Sequence, residues 1–198
     1  MQRLRSILAS PPEVTPVTLE DAKRRVRRIE DDDNDEIEML IAAVVSHLEG
    51  VDGILGRALI TQDWTDTFDG FPRSDRLDLR LAPVQSIVSI GYIDANGAEA
   101  TLSPSKFKLH SDASGCFVRL SSKAAWPATD DRDDAVKVTY RAGYGDAPAD
   151  VPAAIRLAIL DLVAHRFGNR GAILVGVSAV EIPRSVAADL APYKRPHF

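Results

Sequence analysis

The sequence contains little cysteine and no long apolar run. Cys116 is the only cysteine among 198 residues, which excludes an internal disulfide and a zinc site built from several thiolates. No apolar run approaches the roughly 20 residues that cross a membrane, so we expect no membrane-spanning segment. The opening "MQRLRSILASPPEV" is cut off by Pro11 and Pro12 and makes a poor secretory signal. These features fit synthesis in a reducing cytoplasm.

Positive charge is also in the minority. The chain has 24 Lys and Arg residues against 29 Asp and Glu, a formal net charge of −5. This balance gives no general attraction to nucleic acid. Hydrophobic residues make up 45% of the chain, which at this length is enough to build one good core.

Two helices are predicted near the N-terminus and read as a helical hairpin. The first spans residues 18–29, with Thr18 as N-cap and Asp21 close to the capping-box position. The second spans residues 33–55, where apolar residues recur every three or four positions. Glycines weaken its C-terminal end: Gly50, Gly53 and Gly56.

The acidic run "IEDDDNDEIEML" raises the question of a metal site. An EF-hand loop counted from Asp31 requires Gly at its sixth position and Glu at its twelfth, but Glu36 and Ala42 occupy them. Acidic residues at a helix start instead cap free N–H groups and oppose the helix dipole. We therefore predict a helix start without metal. A metal-dependent enzyme that uses the Asp-rich runs stays open as an alternative.

Residues 63–141 change to short alternating runs typical of strands. The runs are "RLDLRL", "QSIVSIGYI", "KFKLH", "CFVRL" and "VKVTYRAGYG". Asn96-Gly97 is a preferred tight-turn pair, so the strand that ends at Ile93 and the strand that starts near Ala98 are predicted to be antiparallel neighbours. The Asp-rich stretch "SSKAAWPATDDRDDA" is predicted to be a solvated loop.

A third helix is predicted over residues 151–167, with Pro152 in its first turn. It is apolar nearly all round, which indicates a buried helix packed on the first hairpin. A linker and tail follow over residues 173–198. Within them a short helix lies between Pro183 and Pro192, before a basic and aromatic end.

Signals for catalysis or ligand binding are few. The histidines are at positions 47, 110, 165 and 197, and no two are spaced as a local zinc pair. His165 has Asp161 one turn earlier, yet packing or an interface explains it better than catalysis. "KRRVRR", Lys23–Arg28, carries five cations and leaves a small DNA-binding module as an alternative, although neutralisation by the adjacent acidic run is favoured. We predict no enzyme, no catalytic residue, no cofactor and no metal.

Several phrases in succession resemble the head-tail connector, or adaptor, proteins of long-tailed phages and phage-derived gene transfer agents. They run from Val17 to Arg195: "VTLEDAK", "DDDNDEIEMLIAAVVSHLEG", "GRALITQDWTDTFDGFP", "LAPVQSIVSIGYIDANGAE", "AAWP", "VKVTYRAGYGDAPADVPAAIRLAILDLVAHRFGNRGA" and "LAPYKR". The resemblance rests on their order, since no single phrase is a catalytic fingerprint.

The patterns and the resemblance together predict an α+β fold that is mainly a helical bundle. An antiparallel β region is inserted at residues 63–141, and an extended tail closes the chain. In this division residues 1–16 are a leader, residues 17–172 form one connector domain, and residues 173–198 form the linker and tail.

The resemblance implies a structural virion protein of the particle neck, assembled in the bacterial cytoplasm. Such proteins form a homo-oligomeric ring, typically of 12 copies, that binds the portal on one side and a stopper or tail on the other. The ring lines the channel through which DNA leaves and touches the DNA only transiently. Phage and gene transfer agent are equally compatible with this resemblance.

The tail is the segment predicted to dock on the portal. Its prolines bracket a helix too short to be stable alone, and its aromatic and cationic residues are of the kinds that anchor interfaces. In the alternative, Leu190 and Tyr193 fold back onto the chain's own core. The predicted portal-binding residues are Leu190, Tyr193, Lys194, Arg195 and Phe198.

Overall fold

The computed structural model describes residues 2–27, 32–122, 124–169 and 183–195. Within them the helices are α1 (Leu19–Val26), α2 (Asn34–Leu48), α3 (Ala153–Gly168) and α4 (Arg184–Leu190). The strands are β1 (Arg3–Ser10), β2 (Gln62–Phe68), β3 (Arg76–Asp78), β4 (Val84–Ile93), β5 (Glu99–Thr101), β6 (Phe107–Asp112), β7 (Gly115–Leu120) and β8 (Val136–Ala142). Short 3-10 turns occur at Pro104–Lys106, Pro148–Asp150 and Ala191–Tyr193.

The strands form two sheets in which every pairing is antiparallel. Five strands follow the order β1-β2-β8-β4-β5, and three follow the order β3-β7-β6. Alternate residues of both sheets point to a shared core, as expected for strands with one buried face. Fully buried members of this core are Phe68, Leu77, Leu79, Leu81, Ile90, Val118, Val136, Val138 and Tyr140.

The helices form a second core beside the sheets. α3 packs on α1, α2 and α4, and its buried residues recur at helical spacing. The core contains Ile37, Ile41, Val44 and Leu48 from α2, Ile155, Ile159, Leu162 and Val163 from α3, and Val186 and Leu190 from α4. The predicted packing of the third helix on the first hairpin is confirmed.

The prediction of a mainly helical bundle is wrong. In the described residues the eight strands together hold at least as many residues as the four α-helices, so the fold is α+β with two antiparallel sheets and a helical layer. The sequence patterns overstated the helices because a helical stripe extends over many residues, whereas β3 and β5 have only three residues each.

The β region is also joined by the start of the chain. β1 lies within the segment predicted as a leader and pairs along β2, with Ser6 opposite Asp66 and Leu8 opposite Trp64. It occupies an edge of the five-stranded sheet. The sheet therefore depends on residues more than fifty positions before β2, which an insertion confined to residues 63–141 does not include.

Several local predictions are confirmed. The hydroxyl of Thr18 accepts a hydrogen bond from the backbone N–H of Asp21 at 3.1 Å, as an N-cap does. The acidic run stands at a helix start, because α2 begins at Asn34, although residues 28–31 lie outside the described part. β4 and β5 are antiparallel neighbours across Asn96-Gly97. α2 ends at Leu48, before the predicted residue 55, and Gly50 has a φ of +89°.

Candidate assembly interface

The C-terminal segment, residues 183–195, packs against the chain's own helical core. Val186 and Leu190 are four positions apart on α4, so both point to the same side of the helix. Their exposed fractions are 2% and 0%, and both belong to the core that α3 forms with α1 and α2. Within one chain, Leu190 therefore folds back onto the chain's own core, which is the predicted alternative to docking on a portal.

The other residues predicted to bind a portal differ in their surroundings. Tyr193 is half-buried against the same core, and its carbonyl accepts a hydrogen bond from Arg57 Nε at 2.6 Å. Lys194 is exposed. Arg195 is half-buried, and Phe198 lies outside the described residues. Among the predicted portal-binding residues that the structure describes, Lys194 is thus the exposed one.

Arg195 joins the helical layer to the β layer. Its backbone N–H donates to the carbonyl of Leu55, which belongs to the helical core, at 3.0 Å. Its guanidinium donates to the carbonyls of Leu79, at 2.9 Å, and Arg80, beside the three-stranded sheet. Burial lowers the pKa of the Arg195 guanidinium, and nearby Arg3 lowers it further. The positive charge is therefore held mainly by carbonyl dipoles.

Arg57 and Arg195 face one open cleft of about 190 Å³. We call it the arginine cleft, and its other walls are Ala82, Pro83 and residues 111–116 at the turn between β6 and β7. Asp112 is a carboxylate in this lining, but Arg76 Nη1 binds it at 2.5 Å. Hydrogen bonding to Arg76 lowers the pKa of Asp112, which keeps that carboxylate charged and engaged.

A buried polar network fixes the strand connection that Arg195 contacts. Asp66 is fully buried, and its carboxylate accepts hydrogen bonds from the backbone N–H of Arg80 at 2.8 Å and from the Tyr140 hydroxyl at 3.2 Å. Arg3 Nε lies 3.5 Å from the same carboxylate. Burial raises the pKa of Tyr140, and the charge of Asp66 raises it further. These contacts fix the backbone of Arg80. The carbonyl of Arg80 in turn accepts a hydrogen bond from the Arg195 guanidinium.

A second polar group connects α2 to β2. Glu49 Oε1 accepts hydrogen bonds from the backbone N–H of Leu59 and from Gln62 Nε2, both at 2.6 Å. Burial raises the pKa of Glu49, although these hydrogen bonds partly oppose the change. The carboxylate therefore fixes the chain where it turns from the helical layer into the sheet.

The basic run at Lys23–Arg28 is largely engaged in local contacts where it is described. Lys23 is 7% exposed, Arg24 pairs with Asp21 at 3.2 Å, and Arg25 pairs with Asp161 on α3. Asp161, one turn before His165, thus binds Arg25. Arg28 lies outside the described residues. Burial of Lys23 and the ion pairs of Arg24 and Arg25 within the fold thus account for these three cations.

His110 and His165 contact different residues. His110 stacks on Phe117 with ring centroids 5.6 Å apart, and His165 is exposed beside Asn169. In the described part of the chain no three His, Cys, Asp or Glu side chains are grouped to hold a metal ion. In the same residues no helix is both long and apolar enough to cross a membrane.

Sequence reasoning missed the arginine cleft. Arg57, which lines it, lies in the quoted phrase "GRALITQDWTDTFDGFP", and Gly115 gives a signal only in hindsight. Gly115 has a φ of +129°, and a Cβ there would lie 2.5 Å from Arg195 Nη2. A glycine is required both for this backbone conformation and for the space that the guanidinium occupies.

Comparison with known proteins identifies the fold. No protein-family model matches the chain, and no curated protein matches it. A chain from the neck of an empty GTA particle, computed with C6 symmetry, matches with a TM-score of 0.78 and 16% identity, over 98% of this chain and 97% of that one.

Two further solved structures agree. A chain from the virion of a native gene transfer agent (GTA) particle matches with a TM-score of 0.76 and 17% identity, over 98% and 97% of the two chains. A chain from the neck of a native GTA particle, computed with C12 symmetry, matches with a TM-score of 0.66 and 19% identity, over 97% of each. The chain therefore shares, over nearly its whole length, the fold of chains in gene transfer agent particles, including their necks.

Proposed function

We propose that this chain is a structural, non-enzymatic subunit of the neck of a phage or a phage-like gene transfer particle. The observation that carries the proposal is the shared fold with chains of GTA necks, which extends over 97% or more of both partners. The ordered succession of phrases that resembles head-tail connectors supports the same role independently of the coordinates.

The subunit acts in a homo-oligomeric ring, for which we propose 12 copies. The solved necks were computed with C6 and C12 symmetry, and both are consistent with a twelvefold ring. A ring of identical copies uses head-to-tail contacts, in which two different patches of one chain meet around a closed circle. The net charge of −5 suits a ring through which DNA slides without sticking.

We propose that the portal lies on the side of the exposed part of the C-terminal segment, and that a stopper or tail protein binds the opposite side. Lys194 is exposed immediately beside buried anchors, so the segment presents a charge on a fixed support. In this arrangement the core residues of α4 position the segment, and the exposed residues make the intermolecular contact.

Deletion of the gene in the particle-producing cell tests the proposed function. We expect heads that contain portal and DNA but carry no tail, together with restored tails when the chain is supplied from a plasmid. Electron microscopy of purified particles gives the readout, and antibody labelling of the supplied chain should mark the neck. Normal tail attachment without the chain, or labelling elsewhere on the particle, would contradict the proposal.

A further inference from the structure

We infer that the arginine cleft binds a carboxylate side chain of a neighbouring copy of this chain. The inference rests on the proposed ring and assigns the two patches of its contact between copies. Its basis is the position of Arg57 and Arg195 on one cleft of about 190 Å³ between the C-terminal segment and the β6–β7 turn.

The two guanidiniums have hydrogen-bonding capacity left for a ligand. A guanidinium has five N–H donors. Arg195 directs its side-chain donors to the carbonyls of Leu79, Arg80 and Ser114, while Arg57 Nε donates to the carbonyl of Tyr193. Within the described residues neither arginine has a carboxylate partner.

Partly buried cations without a counter-charge are unfavourable, because carbonyl dipoles only partly replace water. Arg80 adds to the positive charge, since its side chain donates to the carbonyl of Val51 at 3.3 Å and its charge acts on Arg195. A basic cleft of this kind is unexpected in a chain with a net charge of −5. An incoming anion would compensate both cleft arginines at once.

The cleft favours a carboxylate over DNA. Its volume accommodates the end of one side chain, and both arginines line this one small cleft instead of following a line of phosphates. Arginine is well suited to bind carboxylates in two-point contacts. Duplex DNA is also repelled by the overall negative charge of the chain.

A second copy supplies suitable carboxylates. Asp131 and Asp133, in the loop before β8, are exposed and have no side-chain partner among the described residues. This acidic loop and the arginine cleft are different patches of opposite charge, as a head-to-tail ring contact requires. We therefore assign Asp131 and Asp133 as the groups that a neighbouring copy brings to the cleft.

The test uses charge reversal in the full chain, supplied to particle-producing cells that lack their own copy. Arg57→Glu should lower the number of copies per purified particle by about tenfold or more, as should the double change Asp131→Arg with Asp133→Arg. Combining all three changes should restore most of the loss. Arg73→Glu is the matched control, because Arg73 is exposed and outside the cleft.

Mass spectrometry of purified particles counts the copies, and circular dichroism of each isolated variant checks folding. If Arg57→Glu does not fold, Arg57→Gln replaces it, and the loop variant tests the contact independently. Unchanged incorporation of either the cleft or the loop variant overturns the inference. Losses that the combined variant does not repair overturn the assignment to a second copy.

Two measurements distinguish this inference from DNA binding by the cleft and from failure of the proposed function. Duplex DNA binding by the unmodified chain that disappears in Arg57→Glu would identify phosphate as the ligand and overturn the carboxylate assignment. If the unmodified chain is absent from purified particles, the proposed function itself fails. If it is present and the variants match it, only the cleft inference fails.

Discussion

The hydroxyl of Tyr140 donates a hydrogen bond to Asp66 Oδ1 across 3.2 Å, and both side chains are fully buried. The same hydroxyl accepts a hydrogen bond from the backbone N–H of Leu81 at 3.3 Å. The Tyr140 hydroxyl thus donates one hydrogen bond to a carboxylate on β2 and accepts another from the backbone of the segment after β3. This relationship joins the two sheets through their shared core.

Changing Tyr140 to Phe should destabilise the protein by about 1–3 kcal/mol, because the backbone N–H of Leu81 loses its acceptor and Asp66 loses a donor. Denaturant unfolding followed by circular dichroism measures the change. Tyr92→Phe is the control, since Tyr92 is half-buried and contacts Phe71 through its ring. Equal effects of the two changes would show that the Tyr140 hydroxyl has no special role.

Stability should depend on pH through Glu49, whose pKa is raised above its ordinary value of 4.5 mainly by burial. The folded protein holds this proton more tightly than the unfolded chain, so the resulting stabilisation is complete below pH 4.5. It is lost as the pH rises through the folded pKa. Glu49→Gln removes this dependence.

The free energy of unfolding of Glu49→Gln should therefore rise relative to that of the parent protein as the pH increases above about 4.5. Denaturant titrations at several pH values give the difference. Glu38→Gln, which removes an exposed carboxylate from α2, is the control for the loss of a carboxylate as such. A constant difference between Glu49→Gln and the parent would contradict the assignment.

Leu190→Ala should lower the free energy of unfolding by about 2–5 kcal/mol, because it leaves a cavity in the helical core. Lys194→Ala should change it by no more than about 0.5 kcal/mol, since Lys194 is exposed. Truncation after Gly176 removes Val186 and Leu190 together and should lower the melting temperature strongly. A truncated protein that melts like the parent would show that the C-terminal segment adds nothing to the fold.

Gly115→Ala should destabilise the protein more than Gly97→Ala. Both glycines have positive φ, so each alanine strains the backbone by about 1–3 kcal/mol. A Cβ at position 97 meets nothing within 4 Å, whereas at position 115 it meets Arg195 Nη2 at 2.5 Å. The clash adds to the strain only at Gly115.

Repeating Gly115→Ala in an Arg195→Ala background isolates the clash. The second measurement should give a smaller loss, close to that of Gly97→Ala, because the guanidinium that obstructs the new methyl group is gone. Thermal unfolding of the four proteins completes the cycle. If Gly115→Ala costs the same stability in the Arg195→Ala background, the whole loss comes from backbone strain and none from the clash with Arg195.

Changing Asp31, Asp32, Asp33 and Asp35 to Asn tests the acidic run before α2. The N-terminal part of α2 loses only charge opposite the helix dipole, so stability should fall by about 1–2 kcal/mol or less at low salt. Calorimetry with magnesium, calcium and zinc should show no binding by either protein. Submillimolar binding that the variant loses would establish a metal site at these residues.

Local chemistry made some features predictable. Thr18 and Asn96-Gly97 act on backbone groups within a few residues, so their sequence signals are sufficient. The apolar face of α3 identified a buried helix, although Leu157 on the same helix is 44% exposed. The first two features follow from interactions between near neighbours in the chain, and the third from the spacing of apolar residues within one helix.

Long-range contacts determined what the sequence did not predict. β1 is a strand because β2, more than fifty residues later, offers it a free edge. Leu190 is buried because α3 and α4 pack together, whereas the sequence favoured docking on a portal and kept folding back onto the core as the alternative. Arg195 was predicted as an interface residue from its type, but no local pattern indicates the carbonyls of Leu79 and Arg80 that it binds.

The contacts of Arg195 also set an order of events during synthesis. A chain leaves the ribosome N-terminus first at roughly 5–20 residues per second, so Arg195 follows Leu55 by roughly 7 to 28 seconds. During that interval the carbonyls of Leu55, Leu79 and Arg80 have been made, but the group that joins them has not. The nascent protein therefore passes through a period in which the Arg195 contacts between the helical core and the segment after β3 are missing, while the Glu49 contacts to Leu59 and Gln62 can already form.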